Sequence, residues 1–406
     1  MQRHHYRKLL AAVTVCGIVT SASAARPVSL VELQVGSERH QGRVLSRDSR
    51  DVRLLDRAGK IVQLPLSQIT SFRTVSPRFM PFTPTMLNAS LLRELGSHYE
   101  VKTTRHYVVA AAHGRAQKYV DLFEEIYRAF HMHFSIRGFE VDRPEFPLVA
   151  IVFPDHAAFA RYARSDAVNA RPGLMGYYMP VTNRVALFEG SSGQRGSGRV
   201  QVPGMQSSSR GSLYERRAWP ENWLSRFDGD RPVSQSLISI LPRASGAIQP
   251  SLRDTLIHEA THQVAFNVGL HSRTRANPQW VVEGLATCFE PQGMRDSSIG
   301  RRVTDRINRE RFVWFRNYVR ERRKEKSLPD FVASDELFQK ATLDAYAEAW
   351  ALSFFLIETR PRKYVAYLKQ LAVSGSRERS KLFAETMGTS MRMLEAERLR
   401  YYERLE

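Results

Sequence analysis

Residues 258–262 of the chain read His-Glu-Ala-Thr-His. On an α-helix, residues four positions apart lie on the same face, so His258 and His262 can offer ring nitrogens to one metal ion. Glu259 lies one step round the helix, beside that ion and within reach of a water molecule bound to it. The stretch therefore predicts a helix that carries two metal ligands and a general base.

A second helix is predicted at residues 277–290, which read Asn-Pro-Gln-Trp-Val-Val-Glu-Gly-Leu-Ala-Thr-Cys-Phe-Glu. Asn277 suits the N-cap, Pro278 suits the first helical position, and Pro291 ends the run. This assignment places Glu283 in the second turn of the helix.

The two helices together predict a metal site of the catalytic type. A motif of this form arises by chance in about one chain in fifty of this composition, so its context has to decide. His258, His262 and Glu283 supply three ligands and leave a fourth position open for water. A structural zinc site more often fills all four positions, usually with cysteine. We therefore expect a Zn²⁺ ion at these three residues, with Glu259 as the general base.

The residues around both helices resemble the gluzincin metallopeptidases, in which an H-E-x-x-H helix precedes a helix that gives a glutamate ligand. The likeness extends to residues 278–286 and 346–356. Together with the H-E-x-x-H stretch, these residues resemble an uncharacterised bacterial secreted family with a peptidase-MA-like domain. It covers about residues 90–403, apart from one insertion. The resemblance implies an α+β fold, with a mixed sheet and a mostly helical C-terminal part, and zinc chemistry. It implies no particular substrate.

Two further assignments depend on this resemblance. Gluzincins place a tyrosine or histidine from a downstream helix opposite the general base, where it donates to the developing oxyanion. Tyr346 is the residue at the matching motif, and the alternative is an ordinary core tyrosine. The strand predicted at residues 184–188 corresponds to the edge strand with which an extended peptide pairs, or is simply an edge strand.

Five side chains near the predicted site have less direct interpretations. Asp254 and Thr287 each lie one turn from a ligand and are alternatives for a side chain that orients it. Cys288 is interpreted as a buried thiol rather than a ligand or nucleophile. His131 and His133 have no third partner nearby in the sequence and are predicted to be surface residues.

The N-terminus has the features of a secretory signal peptide. Residues 1–24 combine a basic start, an apolar run at residues 9–19 and Ala-Ser-Ala at residues 22–24. The apolar run is too short to span a membrane permanently. The sequence therefore predicts export to the periplasm, the cell surface or the medium, with no transmembrane segment after the signal is removed.

A small all-β unit is predicted at residues 27–75, where apolar and polar residues alternate and residues 56–59 suit a hairpin turn. It resembles an SH3-like barrel of the Sla1-homology type, which implies a contact module. Residues 76–89 then form a proline-punctuated linker, and residues 90–406 form the metallopeptidase-like domain. Within it, the Gly- and Ser-rich residues 190–250 predict a largely disordered insertion, either a tolerated loop or a functional lid.

The remaining periodicity predicts several ordinary elements of the large domain. They are strands at residues 107–111, 146–153 and 184–188, and helices at residues 113–133, 155–163, 301–324, 343–358, 361–372 and 389–405.

The chain is strongly basic, with a formal net charge of +19 from arginines spread along its length. An exported basic protein can adhere to anionic cell-envelope polymers, although solubility explains most of such a charge. The sequence contains none of the usual nucleic-acid-binding motifs, so specific nucleic-acid binding is not expected.

These features lead to one hypothesis and two alternatives. The hypothesis is an exported zinc metallopeptidase that acts on a protein or peptide substrate, with Glu259 and Tyr346 as catalytic residues. The first alternative is a catalytically silent surface-binding protein, but the retained Glu259 argues against a purely structural metal. The second is a zinc hydrolase of non-peptide substrates. The sequence gives no oligomeric state.

Overall fold

The computed structural model describes residues 28–170, 173–189, 237–238, 252–296 and 298–405 of the chain. The predicted signal peptide lies outside the described residues, and so does the predicted insertion, apart from the backbone of residues 237 and 238. Within the described residues the molecule is α+β, with an N-terminal all-β region and a mostly helical C-terminal part. The predicted fold class is confirmed at this level.

The strands are short and fall into two sheets. They are β1 (Leu30–Val35), β2 (Glu38–Arg47), β3 (Asp51–Asp56), β4 (Ile61–Pro65), β5 (Ile69–Ser76), β6 (Tyr99–Thr103), β7 (Tyr107–Ala112), β8 (Leu148–Phe153), β9 (Gly176–Met179), β10 (Arg184–Phe188) and β11 (Leu237–Ile238).

The helices of the described residues include none that is both long enough and apolar enough to cross a membrane. They are α1 (Pro84–Leu95), α2 (Ala116–Ser135), α3 (His156–Ser165), α4 (Leu252–Asn267), α5 (Gln279–Phe289), α6 (Gln292–Arg295), α7 (Arg309–Glu321), α8 (Leu328–Ala333), α9 (Glu336–Lys340), α10 (Thr342–Thr359), α11 (Pro361–Ser374), α12 (Arg379–Met387) and α13 (Met391–Glu403).

The first five strands form an antiparallel sheet in the order β4-β3-β2-β1-β5. Successive side chains of a strand point to opposite faces, so Leu54 and Leu55 belong to different apolar clusters. The Leu55 cluster includes Phe146, which follows the sheet in the chain. Gly59 lies against that ring at φ +90°, and a Cβ there would be 3.1 Å from Phe146 Cγ. The all-β region therefore packs directly on the large domain.

The segment predicted as a linker contains the start of a helix. Helix α1 begins at Pro84, and the Thr83 hydroxyl accepts the backbone N–H of Met86 at 3.3 Å. Proline suits the first helical position because its fixed φ matches the helix and its missing N–H would have no partner there. The prolines of this segment therefore mark a helix start as well as an extended connection.

The large domain is built on a mixed sheet in the order β11-β9-β10-β8-β7-β6. Strands β7, β8 and β10 are parallel, whereas β6, β9 and β11 pair antiparallel with their neighbours. Alternate side chains of β8 face two different cores: Ala150 packs in the cluster with α2 and α4, and Ile151 packs in the cluster with α1 and α3. Helices therefore cover both faces of the sheet.

The expectation that residues 184–188 lie at the sheet edge is wrong. These residues form β10, which lies between β8 and β9. Strand β9 joins β10 through a tight turn in which Asn183 has φ +59°. Its four residues, Gly-Tyr-Tyr-Met, show no apolar–polar alternation because all four are buried, so the pattern does not reveal a strand there.

The predicted basic helix at residues 301–324 is shorter in the structure. A 3₁₀ turn occupies Val303–Arg306, and α7 begins only at Arg309. Asn308 starts the helix because its side chain accepts the backbone N–H of Arg311 at 3.2 Å. The predicted helices at residues 343–358, 361–372 and 389–405 agree with α10, α11 and α13 to within two residues at each end.

Candidate metal centre

Helix α4 carries the H-E-x-x-H residues through the interior of the domain. It packs against strands β9 and β10 and helices α2 and α5, and every residue from Thr255 to Phe266 is buried. The Gln263 amide donates to the carbonyl oxygens of Val149 at 3.0 Å and Asn183 at 2.9 Å. These bonds fix the helix to the sheet one residue after His262.

Helix α5 brings the third candidate ligand to α4. The start of α5 differs from the prediction, because Pro278 occupies the N-cap and the helix begins at Gln279. The Gln279 N–H instead donates to Asp335 Oδ1 at 3.0 Å, while Asn277 stabilises the preceding loop by accepting the N–H of Ser272 at 2.9 Å. Glu283 then lies in the second turn, as predicted.

His258, His262 and Glu283 form a buried group that can hold a metal ion. Each of the three side chains is 1% exposed. The two Nε2 atoms of the histidines are 3.0 Å apart. Glu283 Oε2 lies 3.3 Å from His258 Nε2 and 3.7 Å from His262 Nε2. One atom from each residue therefore converges on a common point.

Glu290 holds His258 from the other side of its ring. Its Oε1 lies 2.7 Å from His258 Nδ1, and its Oε2 accepts the Asn308 side-chain amide at 2.6 Å. No motif in the sequence marks this residue. Its spacing of seven from Glu283 was a usable signal, because residues seven apart share a helix face.

The two residues predicted to orient a ligand have other positions. Asp254 is exposed at the start of α4. The Thr287 hydroxyl donates to the backbone carbonyls of Glu283 at 2.7 Å and Gly284 at 3.0 Å, so it bonds to its own helix. The side chain that contacts His258 Nδ1 is Glu290.

The histidines differ in protonation. Burial lowers the pKa of His258, but hydrogen bonds and charge interactions with Glu283 and Glu290 outweigh it and raise the pKa to about 10. Burial and the charges of His258 and His271 hold the pKa of His262 well below its ordinary value. At neutral pH, His258 is therefore protonated and His262 is neutral. A metal ion has to compete with the proton on His258.

Glu259 is fully buried and faces the sheet. Its Oε2 accepts the backbone N–H of Tyr178 in β9 at 2.8 Å. This bond fixes the carboxylate next to the histidines on α4 and links it to β9, the strand that follows β10 in the sheet order. The sequence predicts that Glu259 lies beside the ligands, but not that a strand backbone holds it.

Tyr346 reaches the same group from α10. It is 4% exposed. Burial raises the pKa of its hydroxyl well above the ordinary value, and the charge of Glu283, a hydrogen bond with Glu283 and the charge of Glu259 act in the same direction. The hydroxyl is therefore protonated at neutral pH and lies beside one candidate ligand.

Two predictions about neighbouring side chains have opposite outcomes. Cys288 is a free, buried thiol, as predicted. The prediction that His133 is a surface residue is wrong, because it is 5% exposed and its ring packs edge-on against Phe134 and Phe289. The end of α2 lies against α5 at this point, and His133 lies on the same buried face of α2 as Ile126 and Phe130.

Comparisons with known proteins identify one family. The family described as "Protein of unknown function (DUF1570)" matches residues 253–376. This segment, under a third of the chain, runs from the start of α4 to the end of α11 and includes every residue of the candidate centre on those helices. No curated protein matches the chain.

Proposed function

We propose that the protein is a zinc-dependent metallopeptidase. The observation that carries the proposal is the separation of the three ligand atoms, which are 3.0, 3.3 and 3.7 Å apart. In a tetrahedral zinc site with bonds of about 2.0–2.1 Å, ligand atoms lie roughly 3.3–3.4 Å from one another. The donor set also fits zinc, which accepts imidazole nitrogen and carboxylate oxygen. Three protein ligands leave one coordination position for water or substrate.

Zinc at this position would polarise the scissile carbonyl and lower the pKa of a coordinated water. Glu259 is the residue proposed to take the proton from that water and pass it to the leaving amine. The Tyr178 N–H, 2.8 Å from Glu259 Oε2, holds the carboxylate, and we assign the proton transfer to Oε1. A carboxylate with one oxygen fixed in this way has little rotational freedom to lose during the reaction.

Tyr346 is proposed to donate a hydrogen bond to the oxyanion that develops on the scissile carbonyl. Its hydroxyl is protonated, and the charges of both Glu283 and Glu259 act on it. Because it contacts a candidate ligand, it has a second role to be tested, that of holding Glu283. The two roles affect different measurements, turnover in one case and metal affinity in the other.

The wider proposal follows from sequence features outside the candidate centre. It comprises an exported protein, released from the signal peptide at residues 1–24, in which the sheet of β1 to β5 serves as an SH3-like contact module. The basic surface would favour anionic cell-envelope polymers. The substrate is a protein or peptide.

The decisive experiment is a proteome-wide cleavage profile with the wild type and Glu259→Gln in parallel. Glutamine keeps the size of the side chain but cannot accept the proton. We expect about one zinc per chain in both proteins and cleavage products from the wild type alone. Identical profiles would overturn the mechanism, whereas zinc binding without any peptide cleavage would favour a silent protein or a non-peptide substrate.

A further inference from the structure

Arg311 is a buried cation at the rim of the candidate metal centre. It is 3% exposed, and its guanidinium carbon lies 5.3 Å from the centroid of the Tyr346 ring. Its backbone N–H donates to Asn308 Oδ1 at 3.2 Å, and the same Asn308 side chain donates to Glu290 Oε2 at 2.6 Å. One capping residue therefore fixes both Arg311 and the carboxylate that holds His258.

The guanidinium of Arg311 has a buried donor without an acceptor. A buried arginine normally has its five N–H groups matched to acceptors, because removing the charge from water is otherwise costly. Among the described residues, the Nε of Arg311 has no hydrogen-bond partner. The buried side chain of Arg323 is different, because its guanidinium contacts both Glu348, at 3.2 Å, and Glu395. Arg311 thus has a free donor of the kind expected of a residue that binds an anion.

The charges around Arg311 also suit an incoming anion. Glu259, Glu283 and Glu290 supply three carboxyl groups around the centre, and a divalent cation together with one guanidinium would supply three positive charges. A site that contains zinc and Arg311 therefore does not repel a negatively charged substrate group.

We propose that Arg311 binds a carboxylate group of the substrate. The planar guanidinium matches a carboxylate with two parallel N–H···O bonds, and a low-polarity site strengthens them. This inference rests on the proposed peptidase function for the identity of the substrate. In a peptide the group is either the C-terminal carboxylate or the side chain of Asp or Glu, and the two sources need separate probes.

The test uses three compounds that share one zinc-binding hydroxamate and differ only in the attached residue. The first compound has leucine amide and is neutral. The second has leucine with a free C-terminal carboxylate. The third has glutamate amide and therefore a side-chain carboxylate. Calorimetry gives the dissociation constant of each compound for the zinc-loaded full chain. We expect one charged compound to bind about 10- to 100-fold more tightly than the neutral one, and its identity gives the source of the carboxylate.

Arg311→Gln should remove this preference while leaving the affinity for the neutral compound unchanged. Arg320→Gln is the matched control, because Arg320 lies on the same helix with a side chain that is 73% exposed. If Arg311→Gln does not fold, the dissociation constants of the three compounds for the wild type still test the inference. Arg311→Lys should retain part of the preference. Equal affinity for all three compounds in the wild type, or binding of none, would overturn the inference.

The outcome is separable from that of the proposed function. A preference for a charged compound in a protein that cleaves no peptide would support the role of Arg311 and contradict the peptidase proposal. Peptide cleavage without any preference for a charged compound would support the peptidase proposal and contradict the role of Arg311.

Discussion

Glu290 Oε1 lies 2.7 Å from His258 Nδ1, on the opposite side of the ring from the Nε2 atom that faces His262 and Glu283. A carboxylate in this position fixes the orientation of a metal-ligating imidazole and raises the basicity of its other nitrogen. Asn308 in turn holds Glu290 through a 2.6 Å hydrogen bond. The candidate ligand is thus oriented by a chain of contacts from α5 and the start of α7.

Replacement of Glu290 should weaken metal binding without removing a ligand. We expect Glu290→Gln to lower zinc affinity by about 10- to 100-fold, because the amide carries no charge to support His258. Competition with a chromogenic chelator measures the change. Asp254→Asn makes the same chemical change at an exposed position of α4 and should leave the affinity as in the wild type. Equal affinity in Glu290→Gln and the wild type would contradict this role.

The three candidate ligands should each be necessary for zinc binding. His258→Ala, His262→Ala and Glu283→Ala each remove one of the converging atoms, and a site with two ligands holds zinc poorly. Elemental analysis of the purified variants should show well under one zinc per chain. His131→Ala is the control, because this histidine lies on α2 and contacts Ser135. A folded variant with full zinc would place the metal elsewhere.

The sequence predicts the convergence of the three candidate ligands because each lies in a recognisable local motif. His258 and His262 are four residues apart on one helix, and Glu283 lies on a nearby helix with a recognisable motif. The roles of Glu290 and Arg311 are harder to predict from the sequence, because they depend on how α5 and α7 meet. Their positions are fixed by Asn308, whose cap the charge-rich run at residues 301–324 obscures. The sequence pattern shows which residues can be ligands, while tertiary packing determines which residues support them.

The errors in the fold have different origins. Strand β9 is short and wholly buried, so it shows neither alternation nor a long apolar run. The placement of residues 184–188 at the sheet edge comes from the gluzincin resemblance, and no sequence signal for β9 corrects it. The surface assignment of His133 rests on the lack of a third metal partner nearby in the sequence, although the residue lies seven positions after Ile126 and three after Phe130, on the apolar face of α2. Burial by distant elements leaves no local periodic signal for β9, whereas the periodicity of α2 does indicate burial of His133.

Tyr346→Phe should separate a catalytic role from a positioning role. If the hydroxyl donates to the oxyanion, turnover of a peptide substrate falls by about 10²- to 10³-fold while KM and zinc affinity remain unchanged. We expect this result. Tyr364→Phe is the matched control, because its buried hydroxyl contacts Ser353 at 3.0 Å, outside the centre. A loss of zinc affinity in Tyr346→Phe would instead show that the tyrosine holds Glu283, and unchanged turnover would make it a core residue.

Gly284 allows α5 and α10 to approach closely beside the candidate ligand Glu283. An added Cβ would lie 2.2 Å from Ser353 Oγ and 2.5 Å from the Ala349 carbonyl oxygen. Gly284→Ala should therefore lower the free energy of unfolding by about 1–3 kcal/mol or more, since overpacking forces the helices apart. Urea denaturation measures the loss. A second substitution, Ser353→Ala, should recover only part of it because the Ala349 backbone still obstructs the methyl group. Wild-type stability in Gly284→Ala would contradict the packing.

His133 should make the folded protein less stable in acid. Burial, assisted by the charges of Arg137 and Arg306, lowers its pKa to about 3. The unfolded chain binds a proton on this ring below about pH 6.5, whereas the folded chain does so only near pH 3. The free energy of unfolding therefore decreases as the pH falls through this window, with a contribution from His133 of up to about 1.4 kcal/mol per pH unit.

His133→Phe removes this contribution and keeps a ring between Phe134 and Phe289. Its free energy of unfolding, measured in urea from pH 7 to pH 4.5, should decrease with acidity less steeply than that of the wild type. His131→Phe, two residues earlier on the less buried side of α2, controls for the loss of a histidine as such. Parallel curves for the wild type and His133→Phe would show that the buried ring does not resist protonation, because the residue would then bind its proton equally in the folded and unfolded chains.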